Sequence, residues 1–243
     1  MGGAICLATV QIQYLSKLPK AGLAAIALVL LAACPCLAVS VAELGVSPDE
    51  IVEISDNALN GGSPIEVYAG VTQISVNGVT TNGFCIDPFH YSSSSPLTYS
   101  EVSLANAPKA PPGDSSYTGM GASAALEIEK LWAMNYTSAL TNAQTAAALQ
   151  IAIWEIVAST APGEDFQVYG NSYGASTLIT EAQSYTGPAA NLIGLTGPGQ
   201  DYVIGAPSVP DGGSTLMLLG AGFLGLVGIG AALRARRLSL PNS

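Results

Sequence analysis

The sequence predicts an α+β domain, strand-rich in its first half with a helical subdomain after it, plus one C-terminal transmembrane helix. Three observations predict this. From Ile51 to Ile86, short runs alternate apolar and polar residues between Asn-Gly turns, the period-two pattern of half-buried strands. From Ala122 to Tyr136 and again from Ala143 to Ser159, the apolar spacing changes to that of a helix. From Leu216 to Leu233, eighteen residues run without a charge, and Arg234, Arg236 and Arg237 follow at once. That length crosses a hydrocarbon core, with the arginines expected on the cytoplasmic side.

Taken in order, residues 1–42 read as a signal peptide. Lys17 and Lys20 precede an apolar core from Ala21 to Ala33, too short to span a bilayer comfortably. Ser40 and Ala42 then occupy −3 and −1 of a cut before Glu43. Two alternatives stay open: lipidation of Cys34 in the lipobox-like Leu31-Ala32-Ala33-Cys34, and a retained N-terminal anchor. The sixteen residues before Lys17 are long for a charged n-region, which leaves a downstream start open as well.

Residues 43–206 read as the ectodomain. Ile51–Ser55, Pro64–Ala69 and Val71–Val76 alternate as strands, with turn chemistry at Asn60-Gly61-Gly62 and Asn77-Gly78. Tyr91–Ser95 and Ala107–Ser116 read as loops from their Ser, Pro and Gly content. Ala143–Ser159 is the strongest helix, Ala-rich and stopped by Pro162-Gly163. A third helix over Thr177–Tyr185 and short strands at Asp165–Tyr169 and Gln200–Gly205 complete the domain. Pro207–Gly213 reads as a linker, and 207–243 as a tail carrying the transmembrane helix, 214–233.

Charge narrows the function classes. Only Lys109 and Lys130 of the seven basic residues fall between Glu43 and Val209, against sixteen of the seventeen acidic ones. Such a surface offers no cationic patch for nucleic acid or anionic lipid, and it keeps an exported domain soluble. No P-loop, dinucleotide fingerprint or metal-ligand spacing is present in the sequence, and no cofactor is implied. Asn135-Tyr136-Thr137 matches a glycosylation acceptor, and the scattered tyrosines suit either packing or a sugar-binding surface.

Cysteine usage is more informative. Cys6, Cys34 and Cys36 fall in the leader, so the mature domain holds only Cys85, which cannot close an internal disulfide. It is either a buried small hydrophobe or a thiol with a chemical use. In Gly83-Phe84-Cys85-Ile86-Asp87, a strand turns Phe84 and Ile86 to one face and Cys85 to the other. On the main helix, Gln150 shares its side with Ala146, Ala147, Ile153, Trp154 and Val157, whereas Glu155 lies about 140° away. A carboxamide on an apolar face needs a partner, either backbone hydrogen bonds or a covalent bond.

Phe84-Cys85-Ile86-Asp87, followed sixty-five positions later by Leu149-Gln150-Ile151-Ala152-Ile153-Trp154, resembles the paired motifs of bacterial thioester domains. Leu149 stands where that family often has Thr. The resemblance covers Ile51 to Val203 loosely. It implies an internal thioester between Cys85 and Gln150, made with loss of ammonia, and shielding of that bond by Ile153 and Trp154. The implied activity is covalent attachment to amine or hydroxyl groups on a surface protein or exopolysaccharide, a single-turnover acyl transfer without enzymatic turnover. Alternatives from other classes are a non-covalent matrix or carbohydrate-binding module with an unreactive Cys85, and a cysteine hydrolase pairing Cys85 with His90. His90, the only histidine and five residues past Cys85, reads otherwise as a general base that assists the transfer or as a loop residue without a role.

Val209-Pro210-Asp211-Gly212-Gly213, the apolar span and the arginine cluster resemble, in that order, the PEP-CTERM sorting signal. This resemblance covers Val209 to about Leu238. It implies a Gram-negative bacterium that makes exopolysaccharide, processing by an exosortase-type enzyme near Pro210-Asp211, and passage from the inner membrane to the cell surface or biofilm matrix. A plain single-pass anchor is the alternative.

Overall fold

A computed structural model describes residues 38–161 and 165–206. The leader up to residue 37, the Pro162-Gly163 helix stop, the Val209–Gly213 motif and the expected membrane span lie outside the described residues. Among those described, no helix is long and apolar enough to cross a membrane.

The domain mixes β-strands and α-helices. The strands are β1 (Ala38–Ser55), β2 (Ile65–Val76), β3 (Val79–Cys85), β4 (Leu97–Ser103), β5 (Gln167–Tyr169), β6 (Leu192–Thr196) and β7 (Tyr202–Gly205). The helices are α1 (Asn57–Asn60), α2 (Gly121–Ala139), α3 (Ala143–Ala158) and α4 (Ala175–Ser184). The sheet order is β2-β3-β7-β6-β4-β1-β5, and β1 pairs with β2 as well. That second pairing closes six of the seven strands into a ring. It is possible because β1 is long: Ala38–Val41 pair with β4, Val41 to Ile54 with β2, and Glu53–Ser55 with β5.

Register explains the two cores. Direct cross-strand pairing sets Val39 against Tyr99 and Gly83 against Ile204. Residues on this face, among them Val39, Val41, Ile74, Tyr99, Leu195, Tyr202 and Ile204, form a small apolar cluster within the ring. The opposite face, with Val52, Ile54, Ala69, Val71, Phe84 and Val203, packs on the helices as a larger core. Asn77-Gly78 makes the expected tight β2–β3 turn: both residues have positive φ (51° and 84°), as a two-residue hairpin requires. Asn60-Gly61-Gly62, expected as a plain turn, instead ends the one-turn helix α1, with Asp56 capping its start through Ala58 N and Gly61 in the left-handed conformation at its end.

The expected cut after Ala42 falls inside β1, whose first residues pair with β4 and bury Val39 and Val41. Removing Ala38–Ala42 would uncover the ring core.

The helices match their sequence pattern closely. Asn142 caps α3, its side chain accepting from Thr145 N at 2.9 Å. The helix is buried almost all round, from Ala146 through Trp154, so it lies within the core and not on the surface. It packs against α2 and against β1, β2 and β3. α2 grips β3 from the same side: Trp132 meets the Phe84 ring edge-on at 5.5 Å and stacks on Tyr136 at 4.3 Å.

Candidate functional site

Cys85 is the last residue of β3, and the ladder around it determines what Gln150 can reach. Cys85 lies opposite Tyr202, and Ile86 N donates to Asp201 O at 3.1 Å. In an antiparallel ladder, hydrogen-bonded and non-bonded pairs alternate. The Cys85 N–H and C=O therefore point away from β7, towards the β2 side. There the β2–β3 register ends at Thr72 opposite Gly83. The Gln150 carboxamide fills the vacated position. Cys85 N donates to Gln150 Oε1 at 3.0 Å, and Gln150 Nε2 donates to Cys85 O at 2.7 Å. Both residues are buried, Gln150 at 1% exposure and Cys85 at 3%. Gly83 permits the close approach of β3 to β7 beside it: a Cβ there would lie 2.5 Å from Val203 O, so any other residue would push the two strands apart.

The thiol has partners of its own. Trp154, one turn after Gln150 on α3, donates its indole N–H to Cys85 Sγ at 3.2 Å. Asp87 N donates to the same sulfur at 3.3 Å, and Sγ lies 3.4 Å from Asp87 O. Burial pushes the thiol pKa well above its ordinary value and the Asp87 charge adds to this, while the Trp154 and Asp87 N–H groups act in the opposite direction. A free thiolate is thus disfavoured here, whereas a neutral acylated sulfur carries no such penalty. His90 Nδ1 is engaged by Asp87, and among the described residues no hydrogen bond joins Sγ to His90.

A cavity of about 260 Å³ opens onto this pair. Cys85, Gln150, Trp154, His90 and Glu43 line it, with the exposed Tyr68 and Tyr91 also in its wall. Ile153, expected beside Trp154 as a shield, is fully buried in the core and does not line the cavity. The expected pair Cys85 and Gln150 is therefore brought together with Trp154, whereas Ile153 is packed in the core.

Below the site lies a polar cluster that the sequence did not disclose. Asp87 is fully buried and accepts from Phe89 N at 3.1 Å, Asp201 N at 3.2 Å and Lys109 Nζ at 3.2 Å. Both its oxygens lie 2.9 Å from His90 Nδ1. Asp201, also fully buried, accepts from Gly197 N at 2.9 Å and Lys109 N at 2.6 Å, and its carboxylate lies 3.5 Å from Lys109 Nζ. Lys109 Nζ donates to Gly199 O as well. Burial, followed by the Asp87 charge, raises the Asp201 pKa to about 6, against the lowering effect of Lys109. This cluster ties the chain after Cys85 to the β6–β7 turn. One sequence signal existed: Lys109 is one of two cations in a strongly acidic domain, and a scarce cation has buried carboxylates to satisfy. Among the described residues, no group of His, Cys, Asp and Glu is arranged to hold a metal ion.

Compared with family models, curated proteins and solved structures, the chain matches none.

Proposed function

We propose that this chain is an exported surface or biofilm-matrix protein that uses a Cys85–Gln150 thioester to attach itself covalently to amine or hydroxyl groups. One observation carries the reading: a buried glutamine clamps its carboxamide onto the backbone of the one cysteine among the described residues. The clamp supplies proximity, which intramolecular reactions reward strongly. It also supplies polarisation, because the Cys85 N–H donates to the carbonyl oxygen that becomes an oxyanion on attack. In formation, Cys85 Sγ bonds to the Gln150 acyl carbon and the C–N bond breaks, with ammonia leaving and carrying the thiol proton. In transfer, a target nucleophile bonds to that carbon, the C–S bond breaks, and the target stays linked by an amide or ester. The Trp154 and Asp87 N–H groups then face the departing sulfur.

The ends of the chain give this chemistry a setting. The leader expected over residues 1–42 and the tail from Val209 support export, membrane insertion, processing by an exosortase-type enzyme and display on a Gram-negative surface or matrix.

A second reading has its own observation. Both ends of the Gln150 carboxamide are satisfied by Cys85 backbone, so its burial requires no covalent bond. On that reading the domain is a non-covalent matrix or carbohydrate-binding module. Methylamine separates the two. After incubation, the thioester reading expects a methylamide on Gln150 and a newly alkylatable Cys85, both absent from Gln150→Ala. Unlabelled Gln150 in protein whose Cys85 alkylates fully from the start supports the module.

A further inference from the structure

We infer that His90, oriented by Asp87, is the general base of the acyl transfer: it takes the proton from an attacking hydroxyl and returns it to the departing Cys85 sulfur. The inference rests on the thioester reading above. Its geometry comes from the cavity wall, where His90 stands with Cys85 and Gln150. His90 Nδ1 is engaged by both Asp87 oxygens at 2.9 Å, and Asp87 is itself fixed by Phe89 N, Asp201 N and Lys109 Nζ. A carboxylate on Nδ1 places the neutral ring's proton there and leaves Nε2 as the basic nitrogen. Nε2 makes no hydrogen bond among the described residues, and the side chain is 22% exposed, enough to meet a ligand in the cavity.

The chemistry requires such a group. A hydroxyl keeps its proton at neutral pH, so its attack on the acyl carbon needs an acceptor. The sulfur that leaves sits where burial and the Asp87 charge oppose a thiolate, so it needs a donor. One imidazole meets both needs in sequence. As the O–C bond forms, the hydroxyl proton passes to Nε2; as the C–S bond breaks, its electron pair goes to Sγ and the same proton follows. The products are an ester on Gln150, a Cys85 thiol and His90 restored. Asp87 is a positioning residue, holding the ring and stabilising the transient imidazolium.

The test uses glycerol as the hydroxyl probe and the purified protein, wild type beside His90→Gln and His90→Ala. Intact mass first reads thioester content; loss of the ammonia deficit with glycerol then reads the transfer rate. The expected result is an unchanged deficit in both variants, a rate at least about 100-fold lower, the usual scale of general-base catalysis, and recovery of His90→Ala with added imidazole. Equal rates overturn the inference, as does a slow His90→Ala that imidazole fails to restore. A wild type without the deficit sinks the thioester reading itself, a distinct outcome. Because His90 is the only histidine in the chain, diethyl pyrocarbonate applied to wild type with the bond already formed gives an arm independent of folding. Carbethoxylated His90 should lower the glycerol rate to a similar degree, and an unaltered rate refutes the role.

Discussion

Replacing Lys109 with Met keeps most of the aliphatic stem and removes the one cation between two fully buried carboxylates. Nζ lies 3.2 Å from Asp87 Oδ2 and 3.5 Å from Asp201 Oδ1. At an effective dielectric near 20, each such pair is worth about 5 kcal/mol of direct attraction. The net loss is smaller, because the lysine no longer has to be desolvated and its side chain is 26% exposed. Breaking a buried pair by deleting one partner costs about 3–5 kcal/mol. The partial exposure places this case at the low end, about 3 kcal/mol at pH 7.5. The loss should depend on pH, with a definite sign. The folded Asp201 pKa is already raised to about 6 from an ordinary 3.8. Its ionisation therefore costs stability, a cost absent below pH 4 and complete above pH 6. Without the ammonium, Asp201 holds its proton to still higher pH, so the variant is relieved on acidification. Urea unfolding at pH 7.5 and pH 5 should show a penalty that shrinks at the lower pH. A penalty below about 0.5 kcal/mol at both values, the range of an ordinary surface change, would refute the claim that Lys109 holds the cluster together.

Three further outcomes follow from the packing. A chain begun at Glu43 lacks Val39 and Val41 of the ring core and the β1–β4 pairs, and should unfold roughly 4 kcal/mol more easily than one begun at Ala38; equal urea midpoints would show that these residues add nothing to the fold. Gly83→Ala sets a Cβ 2.5 Å from Val203 O and should cost about 2–3 kcal/mol by thermal unfolding; an unchanged melting temperature would mean that β3 and β7 have room to part. Gln150→Ala strands the N–H and C=O of Cys85 in the core and should destabilise by about 2–4 kcal/mol; a neutral effect in denaturant titration would show that these backbone groups find water or other partners.

Local chemistry accounts for what the sequence disclosed. Alternation at Phe84-Cys85-Ile86 put the phenyl ring and the thiol on opposite faces, and the structure packs Phe84 on Trp132 while the thiol faces the cavity. The helical period put Gln150 and Trp154 on one side of a helix expected to end at Ser159 and observed to end at Ala158. Asn77-Gly78 dictated its own turn. What stayed hidden depends on distant residues. The strand pairing of Ala38–Val41 gave no signal of its own, because small apolar residues suit a signal peptidase and a buried strand equally. Leu97–Ser103 and Leu192–Thr196, between Ser-, Pro- and Gly-rich stretches, gave no strand signal and became strands through pairing with each other. The Asp87–Lys109–Asp201 cluster joins residues up to 114 positions apart, and no local pattern reports such a meeting.

The central claim concerns one covalent bond, and intact mass tests it most directly. The purified wild-type protein, beside its Cys85→Ala variant, should weigh less than its sequence mass by one ammonia, and methylamine should remove that deficit by adding to the chain. Cys85→Ala should carry its full sequence mass before and after methylamine. Wild-type protein at full mass, with intact Gln150 and a freely alkylated Cys85, would contradict the account and leave the Gln150 clamp as a structural feature of the core.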